Sequence, residues 1–150
     1  MSRNMKGPNR FRALGQASMG ALLGAAGIGH LTFLRQEFRA QVPQWLPVDP
    51  DLVVVASGVI EVGLGSALLA TWNQPRRAIV GGAVAAFFVA IFPGNIAQLV
   101  NHVDAFGLDT DAKRLVRLAF QPLLVVWVLA ATDSRRVLRE HRALRNRRTF

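Results

Sequence analysis

Four long apolar stretches, almost free of charge, constrain this chain more than any other feature. The first runs from about Ala13 to Leu34, with Gln16 and His30 as its strongly polar members. The second runs from Leu52 to Trp72 and contains one acid, Glu61. The third, Ala78 to Val100, has no charge, and the fourth, Val116 to Thr132, follows a basic start at Lys113, Arg114 and Arg117. A helix needs roughly 20 mostly apolar residues to cross a bilayer core, and all four stretches fit. The first also exceeds the about 7–15 residues of a signal-peptide core. Backbone polar groups in lipid must be satisfied within their own segment, so the expected spans are helices. The alternating pattern of a membrane β-barrel is absent from the third stretch. The expectation is an all-α transmembrane four-helix bundle over residues 13–132, with basic segments at 1–12 and 133–150.

Composition supports this division. The chain is 51% hydrophobic yet carries a formal charge of +9, with 18 Lys and Arg against 9 Asp and Glu. Such hydrophobicity excludes a disordered chain. Charge crowded between and after apolar stretches is also unlike a basic nucleic-acid-binding surface, so nucleic acid is not an expected partner. There are no Cys and no Tyr, which removes disulfides, thiolate chemistry and phenolic proton transfer.

The basic residues also give an orientation, because short cytoplasmic loops are enriched in Lys and Arg. Four lie in the N-terminal segment (Arg3, Lys6, Arg10, Arg12), two at Arg76 and Arg77, and seven in the tail (Arg135, Arg136, Arg139, Arg142, Arg145, Arg147, Arg148). The opposite side holds five: Arg35, Arg39, Lys113, Arg114 and Arg117. Both termini are therefore expected in the cytoplasm, in a multi-pass protein of the cell membrane. The tail reads as a helical, positive-inside anchor attracted to anionic lipid.

Small and polar residues within the stretches suggest how the spans meet. Gly20, Gly24 and Gly27 share one face of the first, as do Ser57, Glu61 and Gly65 in the second, which allows close helix approach. Glu61 is the conspicuous residue. An ionised acid at mid-membrane costs on the order of 2.5–3.5 kcal/mol on insertion scales, so it must be neutral, paired or facing a wet cavity. At about 1.5 Å per residue, Glu61 lies roughly 13 Å, Gln121 about 10 Å, Asn95 about 8 Å and His30 about 6 Å below the outer face. Similar depths on four spans predict a polar pocket opening toward the outer leaflet, lined by His30, Glu61, Asn95 and Gln121. Arg117 is placed to pair with Glu61. Asn95, Gln98 and His102 are expected on one helix face, just after the helix-perturbing Pro93. No metal-ligand spacing, phosphate loop, dinucleotide fingerprint or nucleophile motif is present, and His30 with His102 is a weak pair for haem.

Together these segments resemble the DoxX family of small four-span membrane proteins. Gly29-His30-Leu31 followed by Val42-Pro43 and Trp45-Leu46-Pro47 is similar to that family's first span and loop. Ser57-Gly58-Val59-Ile60-Glu61 resembles its Ser-Gly-x-x-Glu segment, and Phe92-Pro93-Gly94-Asn95-Ile96 its Pro-x-Asn-Ile segment. Arg117, Gln121 and Trp127 resemble its last span. The resemblance implies an accessory subunit of membrane redox chemistry, more a partner of a redox enzyme than a stand-alone enzyme, with quinone as the implied ligand. It carries over no catalytic residue. Two other readings stay open: an interaction module that recruits a partner enzyme or assembles as a homo-oligomer, and a small-molecule- or lipid-binding membrane protein.

Overall fold

The computed structural model describes residues 8–137, 139 and 140. The basic residues Arg3, Lys6, Arg142, Arg145, Arg147 and Arg148 lie outside the described residues. All regular structure described is helical: α1 (Arg10–Leu31), α2 (Arg35–Ala40), α3 (Pro50–Ala70), α4 (Arg76–Val100) and α5 (Asp111–Ala131). Three of these, α3, α4 and α5, are long and apolar enough to cross a membrane. Helix α1 is equally long at 22 residues but falls short in apolarity, because Gln16, His30 and several glycines interrupt its aliphatic residues.

Side-chain caps fix where three helices start. The Asn9 carboxamide oxygen accepts from the Arg12 N–H, and Thr110 Oγ1 accepts from the Lys113 N–H. Asp49 accepts from the Asp51 N–H, with Pro50 at the first position of α3. The Thr110 cap starts α5 at Asp111, so the helix begins well before the apolar run does. The Pro-rich segment after α1 still forms one short helix, α2, ahead of Pro43.

Helix α1 lies antiparallel against α3 in the most extensive contact of the molecule, and α4 packs antiparallel on α5. Contacts of α1 with α5 and of α3 with α4 join the two pairs. The α1–α3 contact is backbone on backbone. A Cβ on Gly27 would stand 2.7 Å from the Gly58 carbonyl oxygen, and one on Gly65 2.7 Å from the Gly20 carbonyl oxygen. The glycine face expected from spacing thus forms this seam, although a Cβ on Gly24 itself would meet nothing within 4 Å. Between the pairs sits a buried core of Met19, Leu23, Leu68, Val84, Ala85, Phe88 and Val128. The outward faces remain apolar: Leu14, Ile79, Val89, Val116 and Leu123 are all exposed, as lipid-facing residues would be.

The two ends differ chemically. Where α1 starts and α5 ends, Arg12 and the buried Arg77 both pair with Asp133. Gln16 Nε2 donates to the carbonyls of Leu68 and Thr71, which tie off the end of α3. At the other end, buried Arg114 pairs with Asp104 and Asp111 and donates to the Val103 carbonyl, folding the 101–110 loop over α5. His102 leaves the helix face expected for it. Helix α4 stops at Val100, His102 adopts φ 51°, and its Nδ1 lies 2.8 Å from Asp111 Oδ1 at the surface.

Candidate functional site

At the Arg114 end, a cavity of 530 Å³ opens between the two helix pairs. His30, Glu61, Asn95, Arg117 and Gln121, four helices' worth of side chains, all line it. Its apolar lining includes the buried Leu23 and Phe88 with the half-buried Ile91 and Leu124, while Leu22, Trp45 and Phe120 are exposed.

One wall belongs to α1 and α3. His30 Nδ1 lies 2.8 Å from Glu61 Oε2 and 2.9 Å from the Ala26 carbonyl oxygen. With its hydrogen on Nδ1, the imidazole donates to the Ala26 carbonyl oxygen. Glu61 Oε2, although close to the same nitrogen, is buried and has no hydrogen-bond partner among the described residues. The imidazole stacks on Phe38, which α2 brings over the cavity. Glycines set this wall: a Cβ on Gly58 would stand 2.8 Å from the His30 Cβ, so α3 must be bare there for His30 to reach Glu61, one turn further along.

The opposite wall is a chain of amides ending on a guanidinium. Gln121 Nε2 donates to the Phe88 carbonyl oxygen at 2.8 Å, and Gln121 Oε1 accepts from Asn95 Nδ2 at 2.8 Å. Asn95 Oδ1 accepts from Arg117 Nε at 3.3 Å, and Arg117 Nη2 donates to Gln41 Oε1 at 3.2 Å. Gln41 Nε2 in turn donates to Gln98 Oε1 at 2.6 Å. Gln98 continues toward the carbonyls of Val103 and Ala105, anchoring the 101–110 loop rather than facing the cavity. Phe106 lies under Arg117, its ring centroid 5.0 Å from Cζ, and its N–H donates to Glu37.

Arg117 does not pair with Glu61 as the sequence suggests. Its fork is occupied by neutral amide oxygens, and Glu61 turns to His30 instead. A cation and an acid–imidazole pair thus face one cavity from opposite walls. Asn95 likewise bonds across to α5, not back to the α4 backbone around Pro93, through which the helix continues. Sequence reasoning missed Gln41 and Phe38. Their only trace is a polar and an aromatic residue in the segment between α1 and α3, and nothing local aims that segment at Arg117. Outside the helical spans, Arg35 donates to Asp51, which raises its guanidinium pKa further and fastens α2 to α3.

What the fold and site define is a helical protein with membrane-compatible helices and one amphiphilic cavity between two helix pairs. The chain matches the model of the family described as Domain of unknown function (DUF8561) over residues 19–132, and it belongs to that family. No curated protein and no solved structure matches the chain.

Proposed function

We propose that this chain is a four-span membrane bundle, α1 included, with both termini in the cytoplasm, and that its cavity binds a small molecule with a polar head and an apolar body. A quinone has that form, and the chain would serve as a DoxX-like accessory subunit of quinone-linked redox chemistry, with electrons delivered by a partner enzyme at the cell membrane. One observation carries the reading: a 530 Å³ cavity is lined both by polar groups from four helices and by aliphatic side chains. That volume lies within the about 300–1,000 Å³ of small-molecule sites.

Arg117 and the Asn95–Gln121 pair are the donors for a ligand carbonyl oxygen. His30 and Glu61 hold a proton where a reduced headgroup oxygen needs to gain or release one. The apolar side chains Leu23, Phe88 and Leu124 exclude water from the body of the ligand. Helix α1 counts as a span in this reading because its polar residues face α3 and the cavity, not lipid.

The test is binding by the purified full chain in mild detergent, titrated with a decyl benzoquinone and followed by its ultraviolet absorbance in the bound fraction. Saturable binding is expected, weakened about tenfold in Glu61→Gln and in Arg117→Met, on the scale of losing one hydrogen bond to a charged group. Absence of saturable binding by the parent chain overturns the quinone reading. A reporter fused to the C-terminus that is active only outside the cytoplasm overturns the orientation.

A further inference from the structure

We propose a second, separate site at the opposite end of the molecule: a cleft that binds the phosphate of an anionic phospholipid. The cleft measures 720 Å³ and lies where α1 begins and α5 ends. It does not touch the cavity described above, and it does not rest on the quinone reading.

The floor is apolar and aromatic. Phe11 is 85% exposed and Trp127 40% exposed, and both line the cleft. The Trp127 indole N–H donates to the Gly15 carbonyl oxygen at 3.1 Å, which pins the ring across the α1–α5 junction. A Cβ on Gly15 would come within 3.1 Å of that indole nitrogen, so the ring lies close against the α1 backbone. A fixed, half-exposed indole beside an exposed Phe suits the boundary between headgroups and acyl chains.

The charge is unbalanced. Arg12, Arg135, Arg136 and Arg139 line the cleft with only two acids, Asp133 and Glu140. Both acids are engaged: Asp133 with Arg12 and Arg77, Glu140 with Arg136. Arg135 and Arg139 are exposed and meet no carboxylate among the described residues. Two guanidinium groups with no carboxylate partner, above an apolar aromatic floor, match a phosphate diester that carries acyl chains. The fork geometry of arginine favours bidentate phosphate contact. The orientation expected from the basic residues puts this end at the cytoplasmic leaflet, where a basic segment meets anionic lipid. The cleft turns diffuse attraction into a saturable site, with the headgroup on Arg135 and Arg139 and a chain along Phe11 and Trp127.

The test uses the full chain carrying Trp45→Phe and Trp72→Phe, so that Trp127 is the sole reporter, reconstituted in phosphatidylcholine nanodiscs. Brominated phosphatidylglycerol is expected to quench Trp127 with saturation at low mole fraction, whereas brominated phosphatidylcholine quenches only in proportion to its amount. Removing both spare cations (Arg135→Ala with Arg139→Ala) should raise the half-saturating fraction by about tenfold or more. Arg139→Gln alone, at an exposed position, should give a smaller shift in the same direction and guards against misfolding of the double variant. Removing equal charge at the same end but outside the cleft (Arg10→Ala with Arg76→Ala) should leave the midpoint within about twofold. Equal quenching by both lipids overturns the site, and so does an equal loss in the Arg10/Arg76 variant, which signifies diffuse surface attraction. If millimolar glycerol phosphate abolishes the quenching, the occupant is a soluble phosphate and the lipid assignment fails.

Discussion

The α1–α3 pair and the α4–α5 pair solve the same packing problem by different means. The first brings backbones together through glycines, with Gly27 against Gly58 and Gly20 against Gly65, and needs few side-chain hydrogen bonds along the seam. The second is joined along its length by amides, Gln121 bonding both Asn95 and the Phe88 carbonyl, and has a glycine contact only at its far end, where Gly81 leaves no room for a Cβ beside Thr132. Lipid supplies no hydrophobic drive between helices, so close van der Waals contact and interhelical hydrogen bonds are the two available adhesives. A glycine seam is rigid and intolerant of added volume. An amide seam is directional and leaves polar atoms pointing where a ligand can reach them. The cavity lies where the two seams fail to close on each other.

The largest expected effect breaks the glycine seam. Gly27→Leu drives a side chain into the Gly58 carbonyl and Val62, and should lower stability by about 3 kcal/mol, the upper range for overpacking. The unfolding midpoint of the detergent-solubilised chain measures it. Gly24→Ala sharpens the comparison from within the same helix. Its new methyl meets nothing within 4 Å, so stability should hold or rise by up to about 1 kcal/mol. A large loss there would mean that α1 sits in a different register on α3.

The amide seam should be weaker per residue. Gln121→Leu removes the bonds to Asn95 and Phe88, and about 1 kcal/mol is expected, within the range measured for interhelical hydrogen bonds in membranes. A double-mutant cycle of Gln121→Leu with Asn95→Leu should return a coupling of about 0.5–1.5 kcal/mol, and additivity would show that the two amides do not interact. The smallest effect concerns the loop that holds this half together. The Lys113 ammonium, by hydrogen bonding, holds the Asp109 carboxyl below the usual carboxylate range. Its contribution is present above the unfolded carboxylate pKa and is lost as pH falls through the depressed folded value. The pair is exposed, so salt should screen the effect. Asp109→Asn should remove this acid-side slope from the midpoint-versus-pH curve without moving the neutral-pH midpoint measurably.

The four residues singled out by depth along the helices line one cavity, and Arg117 lines it with them, because helical rise converts sequence position directly into height. Azimuth was less legible. Arg117 was the partner expected for Glu61, whereas the close glycine seam brings α1, with His30, against it instead. The roles of Arg77 and Arg114 were hidden too. Both count as loop charges in a topology argument, yet both are buried and bonded to acids across a chain reversal. His102 was misplaced because one left-handed residue after the last helical turn redirects a side chain that ideal periodicity would leave on the helix face.

By itself the sequence determined the helices, the apolar faces and the small-residue stripe, since these follow from local composition and the 3.6-residue period. It also set the asymmetry of charge between the two ends. Only the tertiary structure decided which polar groups bond to which. The partners of Gln41, Arg117 and Gln98 lie 76 and 57 positions apart in the chain. So did the cleft at the basic end, where Trp127 and Gly15 meet across 112 residues. Long-range pairing depends on how whole helices rotate and tilt against one another, and no local pattern encodes that.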